Sequence, residues 1–161
     1  MEILEYALRN AKRIEAAVVL PYTAVPTAPS VLLQKKDEGY PWHPLAWGFF
    51  GGQVEAREPP VKAVIRECLE EWGRNVNESD LLYLGTSPFA DTHPDGVRMR
   101  VGLHHAYALP VSDPKDFLAS IRLTEGAGFA LFQREEISGL YMPTHNKFIV
   151  NKLFNKLAER K

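Results

Sequence analysis

Apolar and polar positions alternate along most of the chain, in short runs separated by turn-forming residues. Apolar, β-branched and aromatic runs bounded by Gly, Pro, Asn, Asp or Ser are typical of β-strands. The predicted strands cover residues 14–24, 30–36, 45–50, 81–89 and 97–109, with a strand, a turn and a second strand within 121–132. The polar residues 37–44 and 91–96 predict a loop and a turn between strands.

In other segments, apolar residues recur every three or four positions, which is the spacing along one face of an α-helix. This spacing predicts helices over residues 2–12, about 60–73, 112–121 and 143–160, and a short helical turn over 134–140. The strands and helices do not follow a regular βαβ repeat. We therefore expect an α/β fold in which a mixed β-sheet is sandwiched between helices (α/β/α).

Composition narrows the class of protein. The 161 residues show no change of composition along the chain, which predicts a single domain over 1–161. The net charge of −1 argues against a protein that coats a nucleic acid polymer or an anionic membrane. One cysteine, Cys68, excludes a disulfide within the chain and favours a reducing compartment. The N-terminus lacks the layout of a signal peptide, so we expect a cytoplasmic protein.

Three glutamates share one face of the predicted helix over 60–73. Glu67, Glu70 and Glu71 follow the i, i+3, i+4 spacing that brings side chains together on a helix. One interpretation is a solvated acidic face, relieved by Arg66 at i,i+4 from Glu70. The other is a site for a hard divalent cation, since clustered carboxylates bind Mg²⁺ or Mn²⁺ through oxygen.

The neighbours of these glutamates favour the second interpretation. The stretch GGQVEAREPPVKAVIRECLEEWGR runs from Gly51 to Arg74. Its fixed positions are a glycine, a glutamate, an Arg-Glu pair, a Glu-Glu pair and a closing glycine, at Gly52, Glu58, Arg66, Glu67, Glu70, Glu71 and Gly73. This pattern over residues 52–74 resembles the Nudix box. Arg74 departs from it, because the family usually has an aliphatic residue after the last glycine.

The resemblance implies a Nudix-type mixed sheet between helices and an enzyme that cleaves nucleoside diphosphates linked to another group, using Mg²⁺ or Mn²⁺. By position, Glu67, Glu70 and Glu71 would bind the metal, with the carbonyl oxygen of Gly51. Glu58 and Arg66 would form a supporting salt bridge. A later loop often supplies a fourth carboxylate, for which Glu125 is the candidate. Glu67 is the expected general base, although a loop glutamate such as Glu125 serves in some branches.

Substrate recognition is the less specific part of the prediction. Tyr40 and Trp42 either stack on a nucleobase or pack their own loop, and Arg98 and Arg100 either meet phosphate or lie in solvent on one face of a strand. Asn146 resembles the asparagine with which the MutT-type branch reads a purine edge, but it also suits the start of a helix.

The expected partner is a small-molecule nucleotide, and a homodimer stays open. An oxidised purine nucleoside triphosphate is one substrate class. Nucleotide sugars, ADP-ribose and a non-catalytic nucleotide-sensing module are the alternatives.

Overall fold

The computed structural model describes residues 9–23 and 28–160. Its strands are β1 Lys12–Thr23, β2 Ser30–Lys35, β3 Trp47–Gly48, β4 Phe50–Gln53, β5 Leu82–Thr92, β6 Met99–Val111 and β7 Gly128–Gln133. Its helices are α1 Pro60–Trp72, α2 Pro114–Ser120 and α3 Thr144–Ala158, with 3₁₀ turns at Glu78–Asp80 and Arg134–Gly139. The helix predicted over 2–12 lies outside the described residues, apart from its last positions.

Strand β1 organises a mixed sheet. It runs parallel to β6 along its whole length, from the Lys12–Arg100 pair to the Thr23–Val111 pair. On its other side it pairs antiparallel first with β4 and then with β2. The sheet is extended by β5 beside β6 and by β3 and β7 beside β2, all antiparallel. The predicted mixed sheet is therefore confirmed.

Helices cover both faces of this sheet, and alternate residues of β1 divide between two cores. Val18, Leu20 and Tyr22 pack with α3 and the 3₁₀ turn before it. Ala17 and Val19 pack on the opposite face with α1 and α2. A strand buried on both faces reads as an unbroken apolar run, which explains the sequence AAVVLPY. The α/β/α arrangement predicted from the sequence is confirmed.

Two predicted strands take a different form. The run over 45–50 becomes two short strands, because β3 pairs with β2 whereas β4 pairs with β1. The prediction of a strand at the start of 121–132 is wrong, and only β7 forms there. Ile121 instead packs in the core under α2, and the Arg122 N–H donates to the carbonyl of Trp72 at the end of α1.

Along the described ranges, we find no helix with both the length and the apolar character needed to cross a membrane.

Candidate active site

Two of the three glutamates of helix α1 lie against the backbone of strand β4. Its apolar stripe is buried against the sheet and consists of Ala63, Val64, Cys68 and Trp72. Trp72 meets the ring of Phe50 in β4 edge to face, with centroids 5.0 Å apart. This packing fixes the rotation of α1, so that Glu67 and Glu71, one turn apart, reach the backbone of β4. Glu70 lies further round the helix with its side chain 58% exposed.

Glu71 is the most buried of the three carboxylates, with only 4% of its surface exposed. Its Oε2 accepts the Gly51 N–H at 3.0 Å. Burial raises the pKa of Glu71 to about 7, although the Gly51 hydrogen bond and the charge of Lys36 act in the opposite direction. Gly51 has φ +119°, and a Cβ there would overlap the backbone of Ala17, so only glycine fits beside this carboxylate.

Glu67 lies directly over Gly52, where any Cβ would overlap its carboxylate. Arg66 holds Glu67 through an Nη1–Oε1 hydrogen bond of 2.7 Å. The expected ion pair between Arg66 and Glu58 is present, with hydrogen bonds of 2.9 and 3.0 Å. Burial raises the pKa of Glu67, whereas the hydrogen bonds from Arg66 lower that of Glu58. We call Gly51, Gly52, Glu67 and Glu71 the carboxylate wall.

The carboxylate wall has the chemistry that a hard divalent cation requires. Desolvation and the neighbouring charges of Glu67 and Glu125 all disfavour the ionised form of Glu71. A cation bound through oxygen would relieve that repulsion, so the residues fit Mg²⁺ or Mn²⁺. Over the described part of the chain, no three His, Cys, Asp or Glu side chains form a ready-made metal-binding group. Glu67 is paired with Arg66, and Glu70 is mostly exposed.

A cavity of about 280 Å³ opens beside the carboxylate wall, and Glu125 lies at its edge. The Glu125 carbonyl accepts a hydrogen bond from Gln34 Nε2 at 2.9 Å, which anchors the loop. Lys36 also lines the cavity, and its Nζ donates to Gln34 Oε1 and to the Phe49 carbonyl. Burial lowers the pKa of Lys36, while the charges of Glu71 and Glu125 raise it. Glu125 thus lines the same cavity as Gly51 and Gly52, and its role as a fourth metal ligand stays a prediction.

The opposite side of the cavity is built around a buried carboxylate that the sequence analysis missed. Asp91 accepts a hydrogen bond from His43 Nε2 at 2.7 Å and pairs with Arg100 at 2.7 Å. His145 Nε2 lies 3.7 Å from the same carboxylate. Burial raises the pKa of Asp91, but the bond from His43 and the charge of Arg100 outweigh it, and the pKa is lowered.

The sequence contained a signal for Asp91. The segment 91–96 was predicted as a turn because it is rich in Asp, Pro and Gly. In the structure, β5 continues through Asp91 to Thr92. The alternation along SPFADT puts Asp91 on the same face as Phe89, two positions earlier. His43 carried no such signal, because it lies in the irregular segment 37–44.

The two predicted arginines have different environments. Arg100 lies in β6, lines the cavity, donates to the Tyr40 hydroxyl at 3.2 Å and stacks 4.7 Å from the ring of Trp42. Tyr40 lines the cavity, whereas Trp42 contacts Arg100 and the ring of His93 and is not among the lining residues. The prediction that Arg98 shares a strand face with Arg100 is wrong. β6 begins at Met99, so Arg98 stays in the turn and pairs with Asp95 at 2.6 Å.

Asn146 and His104 complete this side of the cavity. Asn146 lies in the first turn of α3, but Pro143 is the N-cap and the Asn146 side chain caps nothing. Both residues are only 9% exposed, and neither Asn146 Oδ1 nor His104 Nδ1 has a hydrogen-bond partner. Burial lowers the pKa of His104 to about 4. We name the set made by His43, Asp91, Arg100, His104, His145 and Asn146 the histidine wall.

The family model described as the NUDIX domain matches residues 12–149. The MutT protein from Methanosarcina mazei Go1 has a similar structure, with a TM-score of 0.67, 17% identity and coverage of 94% of this chain and 96% of its own.

Two further structures show the same fold. The Ap4A hydrolase of C. elegans, as a binary complex, has a TM-score of 0.65 and 18% identity over 91% of this chain and 98% of its own. The NUDIX domain of Shewanella oneidensis NrtR, solved with ADP ribose, has a TM-score of 0.66 and 13% identity over 95% of this chain and 97% of its own. At these identities the likeness concerns the fold.

Proposed function

Because the chain belongs to the Nudix family, we propose that it is a Mg²⁺- or Mn²⁺-dependent pyrophosphohydrolase. Its reaction would cleave the phosphoanhydride of a nucleoside diphosphate that is linked to another group. The observation that carries this proposal is the carboxylate wall, where Glu67 and Glu71 lie on the Gly51-Gly52 backbone beside a cavity. An acidic helix face in solvent would not need two glycines packed under its carboxylates.

Glu67, Glu70 and Glu71 are the proposed metal ligands, with Glu125 and the Gly51 carbonyl oxygen as further candidates. The geometry of Gly51 supports this in part, since its N–H orients the carboxylate of Glu71. When bound, a divalent cation would neutralise phosphate charge and make water a better nucleophile. Glu70 has a mostly exposed side chain that accepts a hydrogen bond from Arg66 Nη1 at 3.4 Å, and it would turn from this contact toward such a cation.

Glu67 and the residues that hold it in place have further roles in this proposal. Glu67 takes the proton of the attacking water as general base, with Glu125 as the alternative. Arg66 orients Glu67 by donating to its Oε1, and Glu58 in turn fixes Arg66 through two hydrogen bonds. Cys68 takes no part, because burial raises the pKa of its thiol to about 12.

An oxidised purine nucleoside triphosphate is the substrate class that we favour. In this proposal the amide of Asn146, whose Oδ1 lacks a partner in the cavity, pairs with the purine edge. Tyr40 and Arg100 border the same space. Trp42 and Arg98 contribute less, since neither lines the cavity: Trp42 stacks with Arg100, and Arg98 pairs with Asp95. Nucleotide sugars and ADP-ribose are the alternative substrates.

A second candidate is a nucleotide-sensing module without turnover. The observation in its favour is that Glu67 is held by Arg66, while no metal-binding group of three side chains is preformed over 9–23 and 28–160. The NUDIX domain of NrtR, which was solved with ADP ribose, gives this candidate a structural parallel. It predicts nucleotide binding with no release of product.

Hydrolysis assays separate the two candidates. Wild-type protein is incubated with nucleoside triphosphates, oxidised purine triphosphates, nucleotide sugars, dinucleoside polyphosphates and ADP-ribose, each with Mg²⁺, with Mn²⁺ and with EDTA. The enzyme proposal expects cation-dependent release of phosphate, pyrophosphate or nucleoside monophosphate. Binding of a nucleotide with no product under any condition would leave the sensing module as the better account.

A melting experiment tests the cation site independently of turnover. Millimolar Mg²⁺ should raise the melting temperature of the wild type, because a cation that binds only the folded state stabilises it. The variant that combines Glu67→Gln, Glu70→Gln and Glu71→Gln should not respond. Equal responses of the two proteins would contradict the assignment of the metal to these residues.

A further inference from the structure

Two residues that line the cavity, His104 and Asn146, each carry a buried polar atom without a hydrogen-bond partner among the described residues. Three buried side-chain nitrogen or oxygen atoms in the described ranges make no hydrogen bond, and two of them, His104 Nδ1 and Asn146 Oδ1, belong to residues that line this cavity. The third, on Trp72, lies in the core under α1. An unsatisfied buried polar atom destabilises a fold, so two of them in one binding-sized space indicate a ligand that satisfies both.

We propose that His104 is a specificity-determining residue, whose imidazole hydrogen-bonds the nucleobase of the substrate next to the contact made by Asn146. This inference rests on the proposed function, because it assigns a role within the same cavity. It adds a residue that lies far from the box motif and that the motif does not include. His104 sits in the middle of β6, whereas Asn146 comes from α3.

The surroundings of His104 suit a flat aromatic group. Its ring stacks on Phe89 with centroids 4.3 Å apart and meets the edge of Phe49 at 6.3 Å. His145 lies alongside at 5.5 Å. A nucleobase could continue such a layer of rings, because aromatic faces stack on one another in offset or edge-on contacts.

The charges around His104 favour a neutral group over a phosphate. Burial, and then the nearby His145, lower the pKa of His104, so its ring is uncharged at neutral pH. Arg100 from the same strand already donates its Nε and Nη2 to Asp91, so its positive charge is compensated and less available to a phosphate. His105 points to the other face of β6 and pairs with Glu15. With a divalent cation at the carboxylate wall, phosphate would lie nearer that wall and a base nearer the histidine wall.

A binding experiment with Mg²⁺ and nucleotides that cannot be cleaved tests this role. Dissociation constants are measured by calorimetry in millimolar Mg²⁺ for the four common nucleoside 5′-monophosphates, which have no phosphoanhydride, with ribose 5-phosphate as the probe that lacks a base. The wild type should bind at least one nucleotide about tenfold tighter than ribose 5-phosphate. His104→Leu should weaken that nucleotide about tenfold and leave ribose 5-phosphate unchanged, since one hydrogen bond to the base is lost.

Two matched variants separate recognition from structure. His105→Leu makes the same change on the opposite face of β6 and should bind like the wild type. His104→Gln restores a neutral hydrogen-bonding group and should recover part of the affinity for the base. His104→Leu should also melt no lower than the wild type, because it removes an unpartnered buried nitrogen. A purely structural histidine would instead lose stability without losing selectivity between the two probes.

Three outcomes would each overturn the proposal. His104→Leu could bind the nucleotide as tightly as the wild type, it could lose affinity for ribose 5-phosphate equally, or the wild type could bind no nucleotide. The outcomes are distinct from those for the proposed function. If the wild type binds nucleotides through His104 but hydrolyses nothing, the enzyme proposal fails and this inference stands. If it hydrolyses nucleotides and His104→Leu changes neither binding nor selectivity, this inference alone fails.

Discussion

The two walls of the cavity are assembled in different ways. The carboxylate wall comes from one continuous stretch, in which β4 leads through a short loop to α1. The histidine wall takes its residues from four places: the segment 37–44, the end of β5, strand β6 and the start of α3. In the first wall, helix periodicity relates the two glutamates and a short loop joins them to the two glycines. Residues of the second wall meet only because the sheet and α3 bring them together.

Under the proposed function, this difference separates the residues for chemistry from those for recognition. A local motif fixes the spacing of the carboxylates along one helix, so that spacing does not depend on the residues of the opposite wall. The histidine wall is a network centred on the buried Asp91, which ties His43 and Arg100 to the side of the cavity. Changes in the first wall should therefore affect every substrate, and changes in the second should affect the choice among substrates.

The largest effect should follow a change in the carboxylate wall. Glu67→Gln removes the proposed general base and a metal ligand while keeping the size of the side chain. We expect kcat to fall about 10²-fold or more for every substrate, because general base catalysis alone contributes that much. Steady-state assays at saturating Mg²⁺ measure the effect, and circular dichroism should show an unchanged fold. A fall confined to one substrate would place Glu67 in recognition instead.

Asn146→Ala tests the histidine wall. Loss of the amide leaves polar groups of the bound base unpaired, at about 1–3 kcal/mol. We expect kcat/KM to drop about ten- to a hundredfold for a purine whose edge is read, and little for other substrates. The measurement is kcat/KM across the substrate panel, with Glu67→Gln as the control that lowers all values alike. An unchanged order of preference would leave Asn146 as a helix-start residue only.

The histidine wall should also make stability depend on pH. The pKa of His104 is lowered to about 4 in the folded protein, against about 6.5 for an unperturbed histidine. Between these pH values the unfolded chain binds more protons at His104 than the folded protein does. The contribution of the neutral ring to the free energy of unfolding is therefore fully present above about pH 6.5 and falls as the pH drops toward 4. Protonation of His104 in the unfolded chain should lower the free energy of unfolding by about 2 kcal/mol between about pH 7.5 and pH 5.

The variant His104→Leu isolates the contribution of His104 to this pH dependence, because Asp91 and His145 remain in both proteins. Denaturant titrations near the two pH values should show that the variant loses about 2 kcal/mol less than the wild type on acidification. The variant has no imidazole to protonate at this site. The same acid-induced loss in both proteins would mean that His104 is readily charged in the folded state.

The smallest effect should come from Arg98→Ala. The side chain of Arg98 is 63% exposed and pairs with Asp95 in the turn before β6. We expect the free energy of unfolding to change by less than about 0.5 kcal/mol, as for most surface substitutions, and the order of substrate preference to stay the same. Denaturant titration and the substrate panel check both points. A marked change in preference would return Arg98 to the recognition residues.

Much of the fold was predictable because it depends on local patterns. The strands and helices follow periods of two and of three to four residues, and burial on both faces explains the apolar run in β1. The errors came where pairing decided the structure. The run over 45–50 forms two short strands, one paired with β1 and one with β2. The strand-like segment that begins at 121 forms no strand at its start, where the Arg122 N–H donates to the Trp72 carbonyl at the end of α1.

The sequence by itself determined the carboxylate wall, since helix geometry relates Glu67 to Glu71 and a short loop relates both to Gly51 and Gly52. Tertiary structure alone decided the histidine wall. His43 and Asp91 are 48 residues apart and bond at 2.7 Å, and no local period links them. Burial, which depends on the whole fold, also decided that Glu71 is enclosed while Glu70 stays in solvent, and that His104 is uncharged while facing a cavity.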